Sequence, residues 1–193
     1  MKKIKKVLSF AMSMSLVFGL VACGGQTSSG GSNNVLKVQI DVEVASMDPQ
    51  IATDGTSFEV LAAVTEGLYS VDADGSPILA IADSVNKSTD GLTYEFKLKD
   101  AKWSNGSAVT ANDFVFAWKR LVDPATASEY SFIAGIAGIK NASEISAGNL
   151  PVEDLGVKAL DEKTLVVELS TPVPFFESLM AFPSFLPVNE EFY

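Results

Sequence analysis

Apolar residues recur with two different periods along this chain, and each period predicts an element. Between Thr93 and Lys99, Tyr94, Phe96 and Leu98 alternate with Thr93, Glu95, Lys97 and Lys99, the pattern of a strand with one buried face. Val157–Leu160 and Thr164–Leu169 flank Asp161-Glu162-Lys163 and read as a hairpin. The helical period appears at Phe114, Ala117, Trp118 and Leu121, behind a capping box of Thr110 and Asp113 and ahead of the stop at Asp123-Pro124. A shorter helix is predicted from Thr56, capped with Glu59, through Phe58, Leu61, Ala62 and Thr65 to Gly67. Val35–Ile40 reads as a strand, Val71–Gly75 as a strand end entering a turn, and Asn105-Gly106 as a turn. Pro172, Pro174, Pro183 and Pro187 leave Phe175–Phe182 room for a short helix only. Strands and helices interleave, so the fold class is mixed α/β.

The first 34 residues follow neither period. Lys2, Lys3, Lys5 and Lys6 precede an apolar run from Val7 to Ala22, too short for a comfortable permanent span and typical of a secretory signal peptide. Leu20-Val21-Ala22-Cys23 resembles the lipobox of bacterial lipoproteins, which implies that the Cys23 thiol takes a diacylglycerol and becomes the mature N-terminus. Residues 23–34 are then a tether: after Cys23 come only Gly, Ser, Thr, Gln and Asn, with nothing apolar to bury.

Removing residues 1–22 takes away four lysines and no acid, leaving 10 basic against 24 acidic residues. A surface of that sign does not suit nucleic acid. Only one cysteine is present, so no internal disulfide forms. The chain contains no histidine, which removes Ser-His-Asp and Cys-His nucleophile systems and imidazole zinc sites. Asp72-Ala73-Asp74-Gly75 has its glycine too early for a calcium loop and reads as a turn. No phosphate-cradling glycine motif occurs. Trp118 falls in the helical core stripe, while Trp103 has no such assignment. Residue chemistry alone therefore ends at an exported, acidic α/β domain with no enzymatic constellation, no metal and no cofactor.

The run from Ala101 to Tyr130, AKWSNGSAVTANDFVFAWKRLVDPATASEY, resembles the signature region of the oligopeptide-binding proteins of ABC importers, the bacterial extracellular solute-binding proteins of family 5. Met47-Asp48-Pro49, Glu66-Gly67-Leu68-Tyr69, Asp154–Ala159 and Thr171–Phe176 match the same family in the same order. Met47 stands where Leu is usual, and Ala108 where Pro is frequent.

The resemblance implies part of a type II periplasmic-binding-protein fold of two lobes, with the first lobe incomplete and the second missing. The implied organisation is a signal peptide over 1–22, a tether over 23–34, the start of the first lobe over 35–65, an accessory α/β domain over 66–188, and a return toward the first lobe over 189–193. It implies binding without a reaction: a peptide held between lobes by main-chain hydrogen bonds and delivered to an ABC permease. By family position Thr53, Asp54 and Gly55 line the peptide backbone and Tyr130 stands near its amino end. Read from the residues alone, the first three form an ordinary loop and Tyr130 is a packing aromatic. Short peptides, the permease and, through the lipid, the outer face of the plasma membrane are the implied partners of a monomer. The alternatives are a relative specialised for an oligosaccharide, nickel or haem, and a surface lipoprotein acting as an adhesin. A single wall of such a cleft is expected to hold peptide poorly, with Val35–Gly55 loosely ordered.

Overall fold

In the computed structural model, residues 37–40 and 42–193 are described. The signal peptide, Cys23, the tether and residues 35–36 of the predicted first strand lie outside that range. Lys37–Ile40 are exposed and belong to no strand. A strand exists only where a neighbour takes its backbone groups, and none of the described residues pairs with them.

Residues from Ile40 to Tyr193 form one compact unit. Helix α1 (Gly55–Val64) is followed by the hairpin β1 (Tyr69–Val71) and β2 (Pro77–Leu79), then by β3 (Ala82–Lys87) and β4 (Thr93–Leu98). The long amphipathic helix α2 (Ala111–Val122) leads to the short helices α3 (Phe132–Ile136) and α4 (Ala142–Ser146). The hairpin β5 (Val157–Asp161) and β6 (Thr164–Glu168) and the single turn α5 (Phe176–Leu179) complete it. Four strands make an antiparallel sheet in the order β3-β4-β6-β5, so β6, the last in sequence, lies beside β4. Among the described residues no helix is long and apolar enough to cross a membrane.

The two periods read from the sequence place the core. Tyr94, Phe96 and Leu98 of β4 are buried, and α2 buries Phe114, Ala117, Trp118 and Leu121. The predicted capping box closes α2: Asp113 Oδ2 accepts the Thr110 amide at 2.7 Å. The same oxygen accepts the indole N–H of Trp103 at 3.1 Å, which fixes that half-buried ring to the helix start. Trp118 donates to the Phe185 carbonyl at 2.9 Å and meets the Phe185 ring edge-on at 5.3 Å. The segment after α5, which holds one turn of 3-10 helix at Pro183–Phe185, is thereby locked onto α2. Asp72 Oδ1 accepts the amides of Asp74 and Ser76, so the Asp72–Gly75 stretch is a turn, as its spacing predicts.

The start of α1 differs from the sequence expectation. Asp54, not Thr56, is the N-cap, and its carboxylate accepts the Ser57 amide at 2.9 Å. An aspartate two residues upstream displaces the Thr56/Glu59 box because its charged acceptor bonds the third amide more strongly than a hydroxyl does. The helix ends at Val64, before Gly67, and of the predicted face Ala62 is exposed.

Buried residues fall into two clusters. The large one runs from Leu68 to Phe185 and includes Trp118, Tyr94, Phe96 and Phe176. The small one consists of Ala52, Leu61 and Leu186, with Phe58 packed against it.

Candidate functional site

Thr53, Asp54 and Gly55 turn the chain into α1. Thr53 and Gly55 are exposed, and a methyl group added at Gly55 meets nothing within 4 Å, so open space lies beside that backbone. Asp54 is already engaged: Oδ2 accepts the Ser57 hydroxyl at 2.6 Å while Oδ1 holds the Ser57 amide. These two bonds, the hydroxyl's first, keep the Asp54 carboxyl below its ordinary range. Its role in this structure is a helix cap, which leaves the Thr53 hydroxyl and the exposed backbone at Thr53 and Gly55 outside the cap.

Ser57 is fully buried, and its Oγ accepts the amides of both Ala45 and Ser46 at 3.1 Å. Downstream, Gln50 is 1% exposed and donates to the carbonyls of Ser184 and Leu186, while its Oε1 accepts from Arg120 of α2 at 2.7 Å. The expectation of a loosely ordered segment up to Gly55 is therefore corrected from Ala45 onward. Its hydrogen bonds run to α1, α2 and the segment 184–186, partners that spacing along the sequence does not reveal.

Tyr130 lies half-buried between the turn after Pro124–Thr126 and α3. Its ring stacks on Phe132 at 5.7 Å and 27°, lies tilted against Phe182 at 5.4 Å, and receives the edge of Phe58 at 5.5 Å. Phe58 also meets Phe182 at 5.3 Å. Three aromatic neighbours pack around the ring. Its hydroxyl has no hydrogen-bond partner among the described residues.

Phe58 brings the two predicted segments together, since it stands three residues beyond Gly55 and touches Tyr130. Sequence reasoning took Phe58 for a core-facing helix position and did not single out Arg120 or Phe182. The only signal for Phe58 was its place one turn past the Thr53–Gly55 loop. A separate groove of about 310 Å³ runs beside Met47, Pro49, Leu61, Trp103, Val188 and Phe192, and neither Tyr130 nor Thr53–Gly55 lines it. Among the described residues no three acidic or sulfur side chains are grouped to hold a metal ion.

Residues 76–193 match the family model of the bacterial extracellular solute-binding proteins, family 5 middle region. A dipeptide-binding protein of Lactococcus lactis subsp. cremoris is 41% identical over 193 residues, covering 99% of this chain and 34% of that protein. The substrate-binding domain of an oligopeptide ABC transporter from Bacillus anthracis superposes with a TM-score of 0.75 at 53% identity, over 78% of this chain and 29% of its own. Listeria monocytogenes OppA bound to peptide gives 0.73 at 46% identity, over 76% and 29%. The chain thus spans about a third of the length of the curated relative that it matches.

Proposed function

This chain belongs to the bacterial extracellular solute-binding proteins of family 5, and we propose that in the full-length protein it forms part of the first wall of a cleft that captures short peptides for an ABC importer. Thr53 and Gly55 border the ligand backbone, the Asp54 carboxylate holds the turn that presents them, and Tyr130 offers its hydroxyl from the opposite side of Phe58. The reading is supported above all by the similarity to a peptide-bound protein at 46% identity. That identity reaches well beyond fold likeness alone. Members of this family are transport proteins that bind solutes.

An extended peptide pairs its own amides and carbonyls with a cleft wall and leaves side chains outside the pairing, so one site accepts many sequences. The small buried cluster joins Ala52 and Leu61, in the proposed start of the first lobe, to Leu186, inside the proposed accessory domain over 66–188. Such a cleft excludes water only when both walls close, and exclusion strengthens every polar contact inside it. The 193-residue chain alone is accordingly proposed to bind peptide weakly. Acylation at Cys23 would keep the protein, as a monomer, at the outer face of the plasma membrane, close to the permease.

The test is mass spectrometry of ligand carried through purification of the full-length protein, followed by calorimetric titration of the stripped form with tetra- and pentapeptides. A mixture of short peptides and a stoichiometric isotherm are expected. An oligosaccharide, nickel or haem in the cleft, or an empty cleft with no peptide isotherm, would overturn the reading.

A further inference from the structure

We propose that Phe58 is a positioning residue for Tyr130, fixing where the Tyr130 hydroxyl stands relative to the Thr53–Gly55 backbone. The inference rests on the peptide-binding reading above and names a residue through which that site is assembled.

Two independent observations lead to Phe58. The first is its rigid connection to the loop. The Phe58 amide donates to the Asp54 carbonyl at 3.1 Å, and the neighbouring Ser57 amide and hydroxyl are both held by the Asp54 carboxylate. Within that turn the Phe58 ring cannot shift along the chain without breaking the cap. The second is its place between the two buried clusters. Phe58 packs on the cluster of Ala52, Leu61 and Leu186, and Ala52 is the residue immediately before Thr53. Tyr130 and Phe182 pack at the margin of the large cluster. The triangle of Phe58, Tyr130 and Phe182, with centroids 5.3–5.5 Å apart, joins the two clusters by side-chain contact.

Tyr130 has Phe132 stacked on it, Phe182 tilted against it and Phe58 at a near-perpendicular angle; Phe132 is itself exposed, so Phe58 and Phe182 hold the ring only together. Its hydroxyl is then preorganised, and a ligand's polar group meets it without an ordering cost. Removing the edge contact releases the ring, so the hydroxyl is present but misplaced. The defining property of such a residue is that its effect passes through the tyrosine oxygen.

The experiment uses the full-length, peptide-stripped protein and compares Phe58→Leu, Tyr130→Phe and the double variant by calorimetric titration with a tetrapeptide mixture, alongside the melting temperature of each empty form. Phe58→Leu keeps an apolar side chain and the fold; should it not fold, Phe58→Met serves in its place. Tyr130→Phe is expected to weaken binding by about tenfold, the scale of one hydrogen bond. Phe58→Leu is expected to weaken it similarly, and the double variant no further than either single one. Additive losses would overturn the proposal. So would a Phe58→Leu protein with a lowered melting temperature and unchanged affinity, or a harmless Tyr130→Phe. Absence of any peptide affinity in the unsubstituted protein would instead overturn the peptide reading, and the proposal with it.

Discussion

The Arg120 guanidinium holds the Asp48 carboxylate with two hydrogen bonds, Nη2 to Oδ2 at 2.6 Å and Nη1 to Oδ1 at 3.2 Å, across 72 residues of sequence. Only 11% of the arginine and 20% of the aspartate side chain is exposed, so this pair is shielded more than any other ion pair among the described residues. The same guanidinium donates to Tyr193 Oη at 2.6 Å and lies 3.9 Å from the centre of that ring. One side chain thus fastens the segment before α1 and the residues after Asn189 to α2.

Replacing Arg120 by Leu strands a largely buried carboxylate. Breaking a buried pair from one side costs about 3–5 kcal/mol, and partial exposure of Asp48 places the expected loss at about 3 kcal/mol. Urea denaturation of both proteins checks this. A change within experimental error would show that water replaces the arginine fully.

Acid sensitivity follows from the same pair. Burial alone would push the Asp48 carboxyl up, but the Arg120 hydrogen bonds, the Gln50 amide, the arginine charge and the Tyr193 hydroxyl outweigh it and hold it below its ordinary value of 3.8. With a folded value below the unfolded one, the stabilisation is fully present above the unfolded value and is lost as pH falls through the folded one. Asp48→Asn is therefore expected to melt earlier than the native chain at pH 7, with the gap narrowing below about pH 4. Thermal melts across pH 2–7 measure it, and a gap that widens on acidification would contradict the assignment.

Trp118→Phe removes the indole donor from the buried Phe185 carbonyl and part of the ring's volume. An orphaned carbonyl costs roughly 1–3 kcal/mol and the missing volume adds to it, so a total of about 2–4 kcal/mol is expected in chemical denaturation. Trp118→Leu, smaller still, should cost more, and the reverse ranking would argue against this packing.

Gly156 sits where two backbones close on each other: its amide donates to the Lys140 carbonyl and its carbonyl accepts from Glu168. A methyl group there would stand 2.7 Å from both the Glu168 carbonyl oxygen and the Lys140 Cβ. Gly156→Ala is expected to cost about 1–3 kcal/mol through overpacking and to speed hydrogen exchange at the Glu168 amide. Unchanged exchange there would show that the strand edge yields without opening.

The elements that could be read from sequence are those whose own side chains divide into a wet and a dry face. Phe114, Ala117, Trp118 and Leu121 announce α2, and Tyr94, Phe96 and Leu98 announce β4. Strand β3 gives no such sign. Ala82-Asp-Ser-Val-Asn-Lys87 lies at an edge of the sheet and buries only Ala82 fully, so it exists because β4 offers it hydrogen bonds. The short helices after Tyr130 were equally silent, being set by packing more than by their own periodicity. At the candidate site, family position pointed to Thr53–Gly55 and Tyr130, but Phe58 between them became visible only in three dimensions. Asp54 illustrates the difference: a turn residue by composition, it is a cap because Ser57 comes round to meet it.

Gln50 carries a consequence for how the chain is made. Its carboxamide is sealed against carbonyls 134 and 136 residues later in the sequence. At synthesis speeds of about 5–20 residues per second, those acceptors emerge roughly 7–27 seconds after Gln50 itself. During that interval α2 and its neighbouring hairpins have local partners at hand, whereas Gln50 gains only Arg120, 70 residues on, and its amide nitrogen has water alone. The residues made early therefore take their final seats late, and the stretch leading to Thr53 is among the last parts of the molecule to acquire its shape.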